Sequence, residues 1–353
     1  MGLQLIKPNT HIDFIGIKKI AFLLSAIFIL AGLTSLVLKG GPKYGIDFAG
    51  GMIVQVKVDH TTDVNELKGA LKGVELPGLV VQTLGLEGDN EYLIRTSTSE
   101  VASQEVRKHI SNALEKNLNG KGFEIQRLEM VGPKVGADLR SKALEALFYA
   151  VLIIAVYISG RFEQRWTVAA IMAAALGGII YGVGLTGLDM AWLTIIALIV
   201  TVGLCWYLKL NYALGAVVAL IHDVTITVGI FSILGKEFDL TIIAALLTII
   251  GYSLNDTIIV FDRIRENDTD TKRSGSFGAV INKSINQTLS RTIMTSLTTL
   301  LVVACLYVVG GSVIHDFALA LLIGVVVGTY SSIFVASPIL MGFGPSESAN
   351  ESI

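Results

Sequence analysis

Ionisable side chains are few in the apolar part of this sequence, and those few stand where charge is costly. Asp223 lies about midway along one long apolar run with His222 beside it, and Asp256 lies deep in the next, preceded by Asn255 and the small polar stretch Gly251-Tyr252-Ser253. A charge at the centre of a bilayer costs about 2.5 to 3.5 kcal/mol even on insertion scales, so each such group is a functional candidate. Arg291 opens a later apolar run, and Thr295, Thr298 and Thr299 follow it on one helical face that could line a hydrated seam. Burial makes a carboxylate harder to ionise, while a nearby guanidinium, which stays protonated, favours ionisation. Moving Arg291 towards or away from Asp256 would therefore make the acid release or take up a proton. Each unit charge carried across the membrane is worth about 2.3 kcal/mol per 100 mV. The alternative is a static ion pair holding two helices together, and for His222 and Asp223 such helix glue is the favoured reading.

The elements that must hold these residues follow from composition. The chain has 353 residues, of which 52% are hydrophobic and 16% charged, against roughly 25% charged in soluble domains. Runs long enough to cross a hydrocarbon core of about 30 Å begin near Ile20, Ala143, Trp166, Ala191, Tyr212, Leu240, Leu289 and Phe317, which makes eight predicted transmembrane helices. Short loops with Lys7, Lys18, Lys19, Arg161, Arg165, Lys209, Arg263, Arg265, Lys272, Arg273 and Lys283 are cytoplasmic by the positive-inside rule. Loops with Asp189, Gly235 to Asp239 and Gly310 to Asp316 then face the periplasm, and both termini are inside. No cleavage pattern follows the first apolar run, which reads as a retained anchor.

The expected organisation is a cytoplasmic N-terminus over 1–19, a span over 20–39, a periplasmic domain over 40–140 and a span over 141–160. An additional hairpin over 161–210, two spans over 211–261, a cytoplasmic loop over 262–287, two spans over 288–341 and a cytoplasmic tail over 342–353 complete it. Strand-like residues 53–58, 79–86, 91–96 and 123–130 alternate with helical stretches over 62–72 and 100–118. The order βαββαβ predicts one α+β ferredoxin-like domain between the first two spans. In the loop 262–287, Phe277, Val280, Ile281 and Ile285 recur at helical spacing, as in an interfacial amphipathic helix or an ordinary connector. Residues 166–201 and 212–248 resemble each other through paired Leu-Thr-Ile-Ile-Ala runs, as a duplicated hairpin would, although the first copy has Leu176-Gly177 opposite His222-Asp223 and no counterpart of the Asn-Asp pair.

Other chemistries have no residues to carry them. A net charge of −2 offers no field for nucleic acid. Cys205 and Cys305 sit in apolar runs without metal-ligand spacing, and no motif for nucleotide hydrolysis or peptide cleavage occurs, so neither a metal, a cofactor nor an enzyme is expected. Gly324 and Gly328 form a G-x-x-x-G suited to close helix packing.

Several strings resemble the SecF family: Gly45-Ile-Asp-Phe-Ala-Gly-Gly51, with Gly45, Asp47, Gly50 and Gly51 as its motif residues, Val131 to Arg140, and Arg161-Phe-Glu-Gln-Arg165. The most specific is Gly251-Tyr-Ser-Leu-Asn-Asp-Thr-Ile-Ile-Val-Phe-Asp-Arg-Ile-Arg-Glu-Asn267, followed by Thr288-Leu-Ser-Arg-Thr292. The resemblance covers nearly the whole chain and places it in the resistance-nodulation-division superfamily. It implies a bacterial inner-membrane subunit that pairs with SecD, works beside the SecYEG channel with YajC as a further partner, and uses the proton gradient late in translocation of unfolded polypeptide. It also implies that Asp256 and Arg291 belong to the proton pathway. The family has six spans in this subunit, so residues 166–211, between the Arg-Phe-Glu-x-Arg string and the His-Asp helix, depart from its pattern. A passive translocon-assembly subunit and a proton-coupled small-molecule exporter are the competing functional readings.

Overall fold

The computed structural model describes residues 10–74, 77–84, 88, 90–97, 103–118, 122–184, 190–271 and 276–342. Helix α1 (Lys18–Leu38) leads through the short α2 (Ile46–Ala49) into β1 (Gly51–Val58), α3 (Val64–Ala70), β2 (Val80–Leu84), β3 (Glu91–Thr96), α4 (Ser103–Asn117) and β4 (Phe123–Val131). The four strands form an antiparallel sheet in the order β2-β3-β1-β4. With α3 and α4 on one face, this is the ferredoxin-like arrangement. Period-two burial in β1 turns Met52, Val54, Val56 and Val58 inward, and a four-residue spacing does the same for Val106, Ile110 and Leu114 of α4 and for Leu118 just after it. The strand expected over 79–86 ends at Leu84, and residues 85–86 lie outside the described residues.

The bundle follows: α5 (Pro133–Glu163), α6 (Trp166–Gly184), α7 (Met190–Tyr207), α8 (Asn211–Leu234), α9 (Leu240–Thr271), α10 (Phe277–Val309) and α11 (Ser312–Ser331), which passes through a π-helical turn at Ser332–Ala336 into α12 (Ser337–Met341). Among the described residues, six helices are long and apolar enough to cross a membrane: α1, α5, α8, α9, α10 and the α11–α12 segment. Helices α6 and α7 of the additional hairpin are shorter apolar helices. They pack against each other and on α5, and α7 also touches α8. All three tryptophans of the chain, Trp166, Trp192 and Trp206, lie on this hairpin and are exposed, the placement of residues that anchor at a bilayer interface.

The hairpin does not displace the helix behind it. Glu163, buried at the end of α5, accepts a hydrogen bond from the Tyr212 backbone N–H at 2.9 Å. It thus caps the first turn of α8, where unpaired N–H groups attract a carboxylate. The Arg161–Arg165 string therefore still meets the start of the His-Asp helix, as it would if the chain ran straight on.

Among the described residues, no separate interfacial helix occurs within 262–287. Helix α9 runs on to Thr271 and α10 starts at Phe277. Val280, Ile281 and Ile285 are buried, the last two within the bundle core, so the protein, not the bilayer surface, covers their apolar stripe. Lys7, Asp189, Lys272 and Arg273, used for topology, lie outside the described residues.

Candidate functional site

Asp223 is the best-connected buried carboxylate of the bundle. Its Oδ1 faces His222 Nδ1 at 2.9 Å, and its Oδ2 accepts from Ser253 Oγ at 2.5 Å and Ser331 Oγ at 2.8 Å. His222 Nε2 lies 2.9 Å from Ser25 Oγ, which is 3.1 Å from the Tyr330 hydroxyl, and Tyr330 donates to the Ala21 carbonyl at 2.6 Å. Four helices, α1, α8, α9 and α11, meet on this one pair. Ser331 borders the π-helical turn, where Ser337 Oγ donates to the Ser332 carbonyl, and such turns re-aim side chains within a helix. Gly328 lets α11 approach α9 there: a Cβ would stand 2.9 Å from Ser253 Cβ. Its partner Gly324 would likewise press on Ile249, so the G-x-x-x-G face packs as expected.

Asp256, one helical turn beyond Ser253 on α9, is as deeply buried but far less occupied. Its one hydrogen bond is from Ser296 Oγ at 3.4 Å, and Ser296 is also 2.7 Å from Thr329 Oγ1. Arg291, exposed on α10, makes no ion pair with Asp256 among the described residues, although its charge still acts on that carboxyl. The face of α10 that meets α9 is Thr288, Thr292 and Ser296, all buried, whereas Arg291 and Thr298 look outward. Thr295, Thr298 and Thr299 donate to carbonyls of their own helix, so they do not extend a hydrogen-bonded seam from Asp256. Asn255 is exposed on α9, beside the pair in sequence but turned away from the core.

The Gly45–Gly51 motif forms the joint between sheet domain and bundle. Asp47 Oδ2 accepts from the Leu240 N–H at 3.0 Å, at the start of α9, and Tyr44 and Phe238 form the one isolated strand-like bridge among the described residues, through Gly45 N to Phe238 O and Phe238 N to Lys43 O, each at 2.8 Å. Gly50 and Gly51 have φ of 76° and 125°, and a Cβ on Gly51 would stand 2.6 Å from the Thr96 carbonyl oxygen. Only glycine suits both the backbone and the space. Beside them, Glu237 takes Arg95 of β3 and, at 3.0 Å, Lys43. Burial alone would raise the Glu237 carboxyl, but Arg95 and Lys43 outweigh it and hold it below its ordinary value.

Sequence reasoning singled out Asp223, His222, Asp256 and Asn255 but missed Ser25, Ser331, Tyr330, Ser296 and Thr329. The available signal was the unbroken polar run Thr329-Tyr330-Ser331-Ser332 inside an otherwise apolar span. Among the described residues no three His, Cys, Asp or Glu side chains gather as a metal site. An apolar cavity of about 250 Å³ between α5, α7, α8 and α9 has Arg140 as its sole charged lining residue and does not include the carboxylates.

A multi-pass helical bundle with carboxylates buried in its interior and a small α+β domain after its first helix has the build of a membrane-transport subunit. The family model for protein export membrane protein SecD/SecF, C-terminal, matches residues 110–207 and 189–345, and the SecD/SecF GG motif matches residues 36–62. Residues 189–207, most of α7, fall in both of the longer matches, so the match is interrupted at the additional hairpin. The chain is 41% identical over 346 residues to protein translocase subunit SecF of Magnetococcus marinus, covering 97% of this chain and 95% of that one. It is 38% identical over 337 residues to SecF of Calditerrivibrio nitroreducens, covering 95% of each. The crystal structure of SecDF, a translocon-associated membrane protein from Thermus thermophilus, superposes with a TM-score of 0.69 at 29% identity over 96% of this chain. The chain spans 39% of the length of that SecDF chain. It belongs to the SecF family of protein translocase subunits.

Proposed function

We propose that this chain is the SecF half of a proton-driven export motor in the bacterial inner membrane. It pairs with SecD and acts beside SecYEG, with YajC as a further contact, while polypeptide is being translocated. It is a coupling subunit, not an enzyme. Both termini are cytoplasmic and the sheet domain is periplasmic, in keeping with the cationic loops at one end of the bundle.

The observation that carries the reading is Asp256: a carboxylate 1% exposed, with one long hydrogen bond and no cation in contact. Such a group can gain or lose a proton without dismantling a network, and each change alters the local charge balance strongly. Arg291 tunes it from the protein's outer face, where SecD would bring it under cover. That face supports a helical partner: Thr248, Gly251 and Asn255 of α9 and Arg291 and Thr298 of α10 are exposed within spanning helices, where polar groups are disfavoured against lipid. The SecDF structure, more than twice as long, offers the corresponding second half as a precedent.

In a strain whose only copy carries Asp256→Asn, proton-gradient-dependent export should be lost while the protein still inserts and accumulates. Normal gradient-dependent export in that strain would refute the mechanism. The small-molecule exporter reading has only the apolar cavity in its favour, and that cavity has no access to Asp256 among its lining residues.

A further inference from the structure

The hydrogen bonds around His222 fix how many protons the His222–Asp223 pair holds. Tyr330 has a single hydroxyl proton and gives it to the Ala21 carbonyl at 2.6 Å. Ser25 Oγ stands 3.1 Å from the Tyr330 oxygen and 2.9 Å from His222 Nε2, and it too has one proton. If Ser25 donated to His222, its oxygen and that of Tyr330 would face each other lone pair to lone pair. Every contact is satisfied only when Nε2–H donates to Ser25, Ser25 to Tyr330 and Tyr330 to Ala21. At the other ring nitrogen, Nδ1 and Asp223 Oδ1 are 2.9 Å apart and share one more proton.

We infer that His222 and Asp223 form a proton-binding site that holds two protons between them in this conformation. The two arrangements are an imidazolium beside a carboxylate, or an Nε2–H imidazole accepting from a protonated Asp223. They differ by transfer of one proton across a single hydrogen bond, and both leave the pair with no net charge.

Charge gives an independent reason for the same count. The groups facing the pair from the neighbouring helices are neutral hydroxyls: Ser25 from α1, Ser253 from α9, and Tyr330 and Ser331 from α11. The next ionisable group on α9 is Asp256, another carboxylate. Among the described residues His222 is the one basic group in contact with Asp223. With a single proton the pair would be a buried net negative charge beside no cation, which is strongly disfavoured.

Loss of the second proton would turn Nε2 into an acceptor, draw the Ser25 proton to it and break the Ser25–Tyr330 bond. The junction of α1 with α11 thus senses whether the proton is present. This deepens the proposed coupling by adding a second proton site, and it stands or falls separately from Asp256.

The test is nitrogen-15 NMR of the full chain in phosphatidylglycerol–phosphatidylcholine nanodiscs near neutral pH, with the His222 signal assigned by its loss in His222→Gln. Infrared difference spectra against Asp223→Asn report the carboxyl group. Either a doubly protonated ring with an ionised Asp223, or an Nε2–H ring with a protonated Asp223, supports the site. In Tyr330→Phe the hydroxyl chain is cut but no cation is added beside Asp223, so the charge argument still holds and the pair should keep both protons. A wild-type His222 carrying Nδ1–H and a bare Nε2 beside an ionised Asp223 would overturn the inference, whether or not the variant folds. Both readouts are independent of export, so failure of the coupling mechanism at Asp256 would leave this result standing.

Discussion

Asp223 and Asp256 are both about 1% exposed and occupy the same bundle, yet their surroundings are opposite. Asp223 has three partners at 2.5 to 2.9 Å, drawn from three helices, and through His222 it reaches a fourth. Asp256 has one partner at 3.4 Å that is itself shared with Thr329. A buried acid with all its bonds made holds helices in register, whereas one with few bonds can change its charge at little structural cost. The bundle thus has a tied carboxylate on α8 and a loosely held one on α9, one helical turn beyond the Ser253 that bonds the first.

Breaking the tied node should have the largest effect on stability. Asp223→Ala leaves His222, Ser253 and Ser331 without their acceptor, at a cost on the order of 3 to 5 kcal/mol. It should appear as sharply reduced yield and a lower melting midpoint in detergent. Recovery of wild-type yield and melting would show that the node is not structural. Gly328→Ala attacks the same node indirectly, since its methyl group would press on Ser253 and tilt that hydroxyl off Asp223. We expect a loss of about 1 to 3 kcal/mol, read from the same melting curves and smaller than that of Asp223→Ala.

The smallest effect belongs to the joint between domain and bundle. The Glu237 carboxyl is held below its ordinary value, so its pairing with Arg95 and Lys43 contributes fully above that value of about 4.5 and is lost as pH falls through the depressed one. Hydrogen exchange of β3 and the α8–α9 turn should be unchanged from neutral pH down to that point and rise below it. Arg95→Gln should weaken the joint by about 1 kcal/mol or less and reduce this acid dependence to what Lys43 alone supports. Loosening that begins near neutral pH would point to a different group.

Much of this was legible in the sequence because it rests on local pattern. Apolar run length marked all eight apolar helices, of which six are long enough to span and the two of the hairpin are shorter, the alternation of strand-like and helical stretches gave the sheet domain, and isolated acids in apolar runs gave Asp223 and Asp256. What depends on rotation between helices was not legible. Arg291 was expected to face Asp256, but Thr288, Thr292 and Ser296 take the inner side of α10, which turns Arg291 outward. Likewise a single serine in an apolar helix, such as Ser25 or Ser331, carries no sign of what lies across the interface until the helices are packed. The helical spacing from Phe277 does form a helix, the start of α10, but an apolar stripe specifies burial and not whether lipid or protein supplies it, so the interfacial placement was not legible.

The central claim is that Asp256 moves a proton while Asp223 holds the bundle, and it is tested most directly by export per assembled complex with and without an uncoupler. Asp256→Asn should assemble at wild-type levels and show export that the uncoupler no longer slows. Export that remains fully uncoupler-sensitive in Asp256→Asn, or a loss explained entirely by fewer assembled complexes, would contradict the account.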